Sequence, residues 1–163
     1  VSVPGVGHFS STRSIDRAWT DAILGVIGEG RPLLGICLGM QWLFDGSDEA
    51  PDCPGLGVLG GRCSRLSGAS FGAEVLKIPH VGWNALNRRR DASIVEGVAG
   101  GAQVYFTHSY VAPVTGDTVA VTQHGDEFAS VVQRGQVVGV QFHPEKSGDV
   151  GLRILLNFVR LAG

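Results

Sequence analysis

This sequence carries little charge. Lys, Arg, Asp and Glu make up 17% of its 163 residues and nearly cancel to a net −2, so no basic field is present to hold a nucleic-acid backbone. Long apolar runs are missing too: nothing approaches the roughly 20 residues that cross a bilayer. Residues 1–7 lack the charged-then-apolar order of a secretory leader. Cysteine is sparse, and Cys37, Cys53 and Cys63 form no C-x-x-C pair. That spacing and an odd count point to neither a zinc knuckle nor a disulfide framework; a reducing cytoplasm is the compartment expected. Internal repeats, linkers and low-complexity tracts are also lacking, so a single domain over residues 1–163 is expected. What the chain has in plenty is glycine, 25 residues, which implies many tight turns and close backbone approaches.

Periodicity supplies a coarse outline. Residues 4–7 read as a turn and residues 10–14 as a source of helix caps. Ala18, Trp19, Ala22, Ile23, Val26 and Ile27 recur at helical spacing and predict a helix with one apolar face, stopped by residues 28–32. Residues 33–36 form the short apolar run of a strand buried on both faces, and residues 38–44 begin another helix. Residues 45–65 read as loop with one short strand near Val58. Strands are expected over 104–111, 118–122, 129–132 and 137–142, with turn compositions between them and antiparallel pairing. A closing helix carries Val150, Leu152, Ile154, Leu155, Leu156, Phe158, Val159 and Leu161, with Ser147 or Asp149 as its cap.

The chemistry concentrates in two places. Gly35-Ile36-Cys37-Leu38-Gly39 follows the buried run and has the form of a strand-turn-helix elbow that exposes a nucleophile. Far downstream comes His143-Pro144-Glu145, at the end of the last predicted strand. A thiolate is the attacking form of cysteine, and a helix N-terminus favours it. His143 can take and return the proton, and Glu145 can fix the imidazole in one tautomer. An oxyanion needs backbone donors, for which the N–H of Leu38 and one in Pro4-Gly5-Val6-Gly7 are candidates. Each piece alone has a plainer reading: a lone Cys is most often a small core residue, and His-Pro-Glu can be a turn. His8, His80, His108 and His124 lack metal-ligand spacing and are expected in loops or polar networks. Arg88-Arg89-Arg90 reads as a solvated loop, and Trp83 fits either core or surface.

The two halves together resemble the class I, or triad, glutamine amidotransferases. Within that group Pro4-Gly5-Val6-Gly7, the run from Gly39-Met40-Gln41 to Glu49-Ala50-Pro51, Pro79-His80-Val81-Gly82-Trp83-Asn84, Thr107-His108-Ser109-Tyr110 and His143-Pro144-Glu145-Lys146-Ser147 resemble the glutaminase subunits of imidazole glycerol phosphate synthase. The resemblance implies a three-layer α/β fold with a flavodoxin-like core, its mostly parallel sheet flanked by helices and continued by an antiparallel extension. Family members begin with a βαβ unit ahead of the oxyanion turn, roughly 30 residues or more, so the fold expected here is N-terminally incomplete. The family's chemistry is hydrolysis of glutamine through a glutamyl thioester by Cys37, His143 and Glu145. The same resemblance makes Val6 or Gly7 together with Leu38 the oxyanion donors, and Gly39, Gln41, Glu49, Ser109 and Tyr110 the glutamine pocket. Ammonia would pass to a (β/α)8 cyclase subunit in histidine biosynthesis, docked on Trp83, Asn84 and Lys146. No metal or organic cofactor is called for. Two other readings stay open: the glutaminase part of a different amidotransferase or a γ-glutamyl hydrolase, and a non-catalytic interaction subunit that keeps the fold.

Overall fold

The structure is a computed structural model that describes residues 1–68, 76–161 and 163. Its strands are β1 (Ser2–Gly5), β2 (Leu33–Cys37), β3 (Gly46–Ser47), β4 (Arg62–Arg65), β5 (His80–Arg88), β6 (Ala102–His108), β7 (Tyr110–Val111), β8 (Thr118–His124), β9 (Asp126–Arg134) and β10 (Val137–Val140). The helices are α1 (Arg17–Gly28), α2 (Leu38–Trp42) and α3 (Gly148–Leu161). Seven strands make one mixed sheet in the order β1-β2-β10-β9-β8-β5-β6, and β3-β4-β7 make a small second one. The pairs β1/β2 and β2/β10 are parallel, and the sheet is antiparallel from β10 outward to β6.

The apolar run of β2 explains its place among the parallel strands. Leu33 and Leu34 are both buried and point to opposite faces, as successive strand residues must. Leu34 joins a cluster with Phe106, Phe128, Val140, Phe142 and Ile154 of α3. Leu33 joins another with Met40 and Leu43, against which Ile23 and Ile27 of α1 also pack. Helices therefore cover both faces, giving three layers. The α2 layer lies very low: a Cβ on Gly35 would stand 2.7 Å from the Gly39 carbonyl oxygen, and one on the neighbouring Gly139 2.7 Å from Met40 Cγ.

Several sequence expectations need correction. Helix α1 forms, but none of its residues is fully buried and Trp19 is 66% exposed; only the Ile23 and Ile27 part of the expected face finds the core. Its cap is Asp16, whose side chain accepts from Trp19 N–H, because residues 9–14 are spent on a 3-10 turn that His8 caps. No strand forms at Val58; the short strands of that stretch are β3 and β4. The expected strand over 104–111 divides at Ser109 into β6 and β7. The nine-residue β5, absent from the sequence outline, bridges β6 and β8. Arg88, Arg89 and Arg90 are exposed, as a solvated loop would be, but Arg88 belongs to β5 and all three guanidinium groups are engaged. Arg88 ends β5 and donates to the Val95 and Val98 carbonyls, Arg89 pairs with Glu127, and Arg90 donates to the Asp117 and Gln133 carbonyls. Ser147 does not use its hydroxyl as a helix cap: it donates to the His143 carbonyl and accepts from Tyr105 N–H.

Candidate active site

Cys37 stands at the junction of β2 and α2 with φ 53 and ψ −110, and is the only non-glycine residue of positive φ among those described. Such a backbone is strained and persists only where its surroundings enforce it. Here the floor of Gly35 and Gly139 lets the chain reverse directly over the sheet. The neighbouring β10 runs parallel to β2 with Val140 opposite Ile36, so the next three residues, Gln141 to His143, emerge at the same sheet edge as Cys37.

His143 is 4% exposed, and its N–H donates to the Tyr105 carbonyl of β6. Its Nδ1 lies 2.8 Å from Glu145 Oε1. An ionised carboxylate only accepts, so Nδ1 carries the proton and Nε2 is left as the basic nitrogen. That Nε2 is buried without a hydrogen-bond partner, so imidazole and thiol are close in topology but not bonded to each other.

The thiol has other company. Gln141 Nε2 donates to Cys37 Sγ over 3.6 Å, and the Leu38 N–H lies in hydrogen-bonding contact with the same group. Burial nevertheless pushes the thiol up to about 11, with the Glu145 charge adding to the rise and Leu38 and Gln141 opposing it. The expectation that a helix start would favour the thiolate is therefore outweighed in this arrangement. A five-residue helix has a weak dipole, and desolvation of a nascent anion is the larger effect.

In front of the thiol is a cavity of about 270 Å³ lined by Val6, Gly7, Cys37, Leu38, Gln41, Glu49, Pro79, Thr107, His108, Ser109 and Tyr110. It gathers both halves of the expected oxyanion hole and all but one of the expected pocket residues. The exception is Gly39, which lies behind the wall: a Cβ there would stand 1.8 Å from the Val3 carbonyl oxygen, so the residue serves the packing of α2 on β1. Glu49 already accepts from Phe9 N–H through Oε2 at 2.7 Å, which holds the 3-10 turn beside the cavity. Val6 is 73% exposed while Leu38 is buried. On the other side of the turn, Pro4, Gly5, Val6 and Ile36 border a hollow of about 300 Å³ shared with His143 and Glu145.

The expected docking residues divide between two faces. Trp83 is 57% exposed, with its ring edge-on to Tyr105, and the Lys146 ammonium lies 5.6 Å from the centre of the same Tyr105 ring. Asn84 follows Trp83 on β5 and so points the other way, donating to the Gln123 carbonyl and contacting His80. His80 and His108, buried and 3.0 Å apart between Nδ1 and Nε2, belong to a polar network, one of the two roles expected of them. Sequence reasoning missed Gln141, Tyr105 and the cavity role of Pro79, Thr107 and His108. For Gln141 a signal was available: it is the one polar side chain in the buried run that leads to His143.

Comparison with known proteins identifies the family. The model of the family "Glutamine amidotransferase class-I" matches residues 3–161. The chain is 44% identical to "Imidazole glycerol phosphate synthase subunit HisH" of Thermococcus kodakarensis, covering 99% of this chain and 82% of that protein. It is 48% identical to the subunit of the same name from Gloeobacter violaceus, covering 99% of this chain and 72% of that one. Among solved structures, a glutamine amidotransferase superposes with a TM-score of 0.69 at 27% identity, over 99% of this chain and 78% of the other. Another, from Thermotoga maritima, has a TM-score of 0.61 at 18% identity over 98% and 62%, which speaks to the fold alone. A strained cysteine elbow, a His-Glu pair at the adjacent strand end and relatives of this closeness lead to one conclusion: the chain belongs to the class-I glutamine amidotransferases and, among them, to the family of the imidazole glycerol phosphate synthase subunit HisH.

Proposed function

We propose that the chain is the glutaminase subunit of an imidazole glycerol phosphate synthase, with Cys37, His143 and Glu145 as its catalytic triad. The observation that carries this reading is the placement of the three: Cys37 at a positive-φ elbow, and the His143-Glu145 pair just past the parallel strand alongside. In the proposed reaction the Cys37 S–H bond breaks, the proton passes to His143 Nε2, and the sulfur attacks the side-chain carbonyl carbon of glutamine. Leu38 N–H and an N–H of the Val6-Gly7 turn receive the oxyanion. Collapse of that adduct, with His143 returning its proton to the departing –NH2, expels ammonia; water then gives a proton to His143 as it attacks the glutamyl thioester, and the Cys37 sulfur leaves with that proton as glutamate is released. Gln41, Glu49, Ser109 and Tyr110 hold the amino-acid end of the substrate, with Glu49 Oε1 suited to its ammonium.

Ammonia is proposed to pass to a cyclase partner of histidine biosynthesis, and a reducing cytoplasm keeps the thiol free. The partner's seat is the exposed face of Trp83, Tyr105 and Lys146, with Asn84 behind it. A thiol near 11 is ionised to only about one part in ten thousand at neutral pH. Turnover by the free chain should therefore be slow until the site rearranges. The test is ammonia release from glutamine with and without the cyclase, for the wild type and Cys37→Ala. Stimulation by the partner and none in Cys37→Ala are expected. Equal turnover in both conditions would remove the partner-dependent part, and ammonia release by Cys37→Ala would remove the nucleophile.

A further inference from the structure

The hydrogen bonds behind the cavity can be oriented one by one, because a carbonyl only accepts. Tyr110 O lies 3.0 Å from His108 Nδ1, so that nitrogen carries the proton and His108 Nε2 must accept. His80 Nδ1, 3.0 Å away, is then the donor to it, and His80 Nε2 accepts from Asn84 Nδ2 at 3.2 Å. Asn84 cannot turn over, since its Oδ1 accepts from Ala85 N–H. The same Tyr110 carbonyl accepts from Gln41 Nε2 at 2.8 Å, which fixes the nitrogen end of that amide toward it. Gln41 Nε2 also donates to Gln141 Oε1 at 3.0 Å. Gln141 therefore has its oxygen toward Gln41 and its NH2 toward Cys37 Sγ, at 3.6 Å. No alternative assignment satisfies every member, and Gln41, Gln141, His80 and His108 are all buried, where a mismatched pair would be costly.

We infer that Gln141 is a further catalytic residue of this site: its carboxamide donates to the Cys37 sulfur and stabilises the thiolate as it forms, while Gln41, His108 and His80 hold that carboxamide the right way round. A donor on a sulfur lone pair does not engage the thiol proton. When Cys37 ionises, that proton goes to His143 Nε2, the electron pair stays on sulfur, and the Gln141 hydrogen bond becomes charge-assisted and stronger. The residues behind Gln141 touch no reacting atom and act as positioning residues. The inference rests on the glutaminase reading for the use made of the thiolate, but the thiolate itself can be measured without glutamine.

The experiment follows alkylation of Cys37 by iodoacetamide between about pH 7 and 10, read by mass spectrometry on the peptide that contains it. The charged groups around the thiol, Glu145 with His143 and Glu49 across the cavity, are the same in every variant. Gln141→Met keeps the length of the side chain and removes the donor. Its Cys37 should be alkylated about tenfold more slowly throughout, the effect of one lost hydrogen bond to a charged group. His108→Phe should slow it by a smaller factor, and His108→Asn, which keeps a donor at the Nδ1 position, should restore most of the rate. A Gln141→Met protein alkylated at the wild-type rate overturns the inference. If that variant does not fold, the His108 pair decides: a rate unchanged in His108→Phe, or lost equally in both variants, overturns it. Ammonia release is measured separately. A wild type that releases none from glutamine, with the cyclase present, defeats the glutaminase reading whatever the alkylation rates show.

Discussion

Replacing Gly39 by alanine should damage this protein out of proportion to one methyl group. The added Cβ would lie 1.8 Å from the Val3 carbonyl oxygen and 2.8 Å from the Val3 carbonyl carbon, both backbone atoms that no rotamer change can move. To reach even a tight contact, β1 and α2 must separate by more than an ångström. Forced overpacking costs about 1 to 3 kcal/mol, occasionally more, and a clash with backbone belongs at the upper end. Alanine recovers about 0.8 to 1 kcal/mol of helix propensity, which leaves a net loss of about 2 kcal/mol or more from a total of only about 5 to 15. Activity should fall further, since of the proposed oxyanion donors Val6 and Gly7 follow β1 while Leu38 rides on α2, and losing one such donor costs about a hundredfold in kcat or more. Urea unfolding followed by circular dichroism, with partner-stimulated ammonia release, measures both effects. Gly25→Ala is the control: it lies in α1 with nothing within 4 Å of the added Cβ, and should be neutral to stabilising by up to about 1 kcal/mol. A Gly39→Ala protein with the wild-type midpoint would refute the claim that α2 rests on β1 through this glycine.

The strain at Cys37 can be weighed by comparing two variants: Cys37→Gly should be more stable than Cys37→Ala by about 1 kcal/mol, because glycine accepts positive φ freely, and equal melting would deny the strain. His80 is held down to about 4 and His108 to about 3, burial being the main cause in both. The unfolded chain takes up protons below about pH 6.5 that the folded one refuses, so this contribution to stability is complete above that pH and is lost as pH falls through about 4. The urea midpoint should fall steadily from pH 7 to 4, and a level midpoint would mean that these rings are hydrated. Trp83→Ala should weaken cyclase binding at least tenfold, as loss of an exposed aromatic anchor does, and change the free chain's stability by less than about 1 kcal/mol; unchanged affinity in a titration would reject that face.

The parts of this protein legible in its sequence were those fixed by neighbours along the chain. The apolar run into Gly-x-Cys-x-Gly gave β2, the elbow and α2, since the turn there is dictated by local sterics. The strands that became β8, β9 and β10 were legible from turn compositions around Gly125 and Gly135. Helix α1 was found by period but its burial was not, because which part of an apolar face meets the core depends on where β2 and α2 lie. β5 was missed because His80, Gly82 and Asn84 interrupt the apolar alternation; His80 and Asn84 are polar for the sake of the histidine network, and Gly82 is glycine because its φ is 135, with open space around it. The opposite faces of Trp83 and Asn84 follow from β5, so they were lost with it. The height of the thiol's pKa was illegible for a different reason: it is a balance between burial and two hydrogen bonds, one from a residue over a hundred positions away.

The two members of the His143-Glu145 pair stand in different solvents. The imidazole side chain is 5% exposed, while the carboxylate is 55% exposed. The bond that orients the base is thus open to counter-ions at one end, and within a Debye length of about 8 Å at physiological salt it feels the ionic strength of the medium. Lys146, the next residue, shares the Tyr105 ring with Trp83 on the proposed docking face, so a subunit seated there would dry the carboxylate and raise the local field at the imidazole. On that proposed docking the contact surface would act as a dielectric cover. In the free chain glutamine hydrolysis should respond to added salt, and in the complex that response should fade.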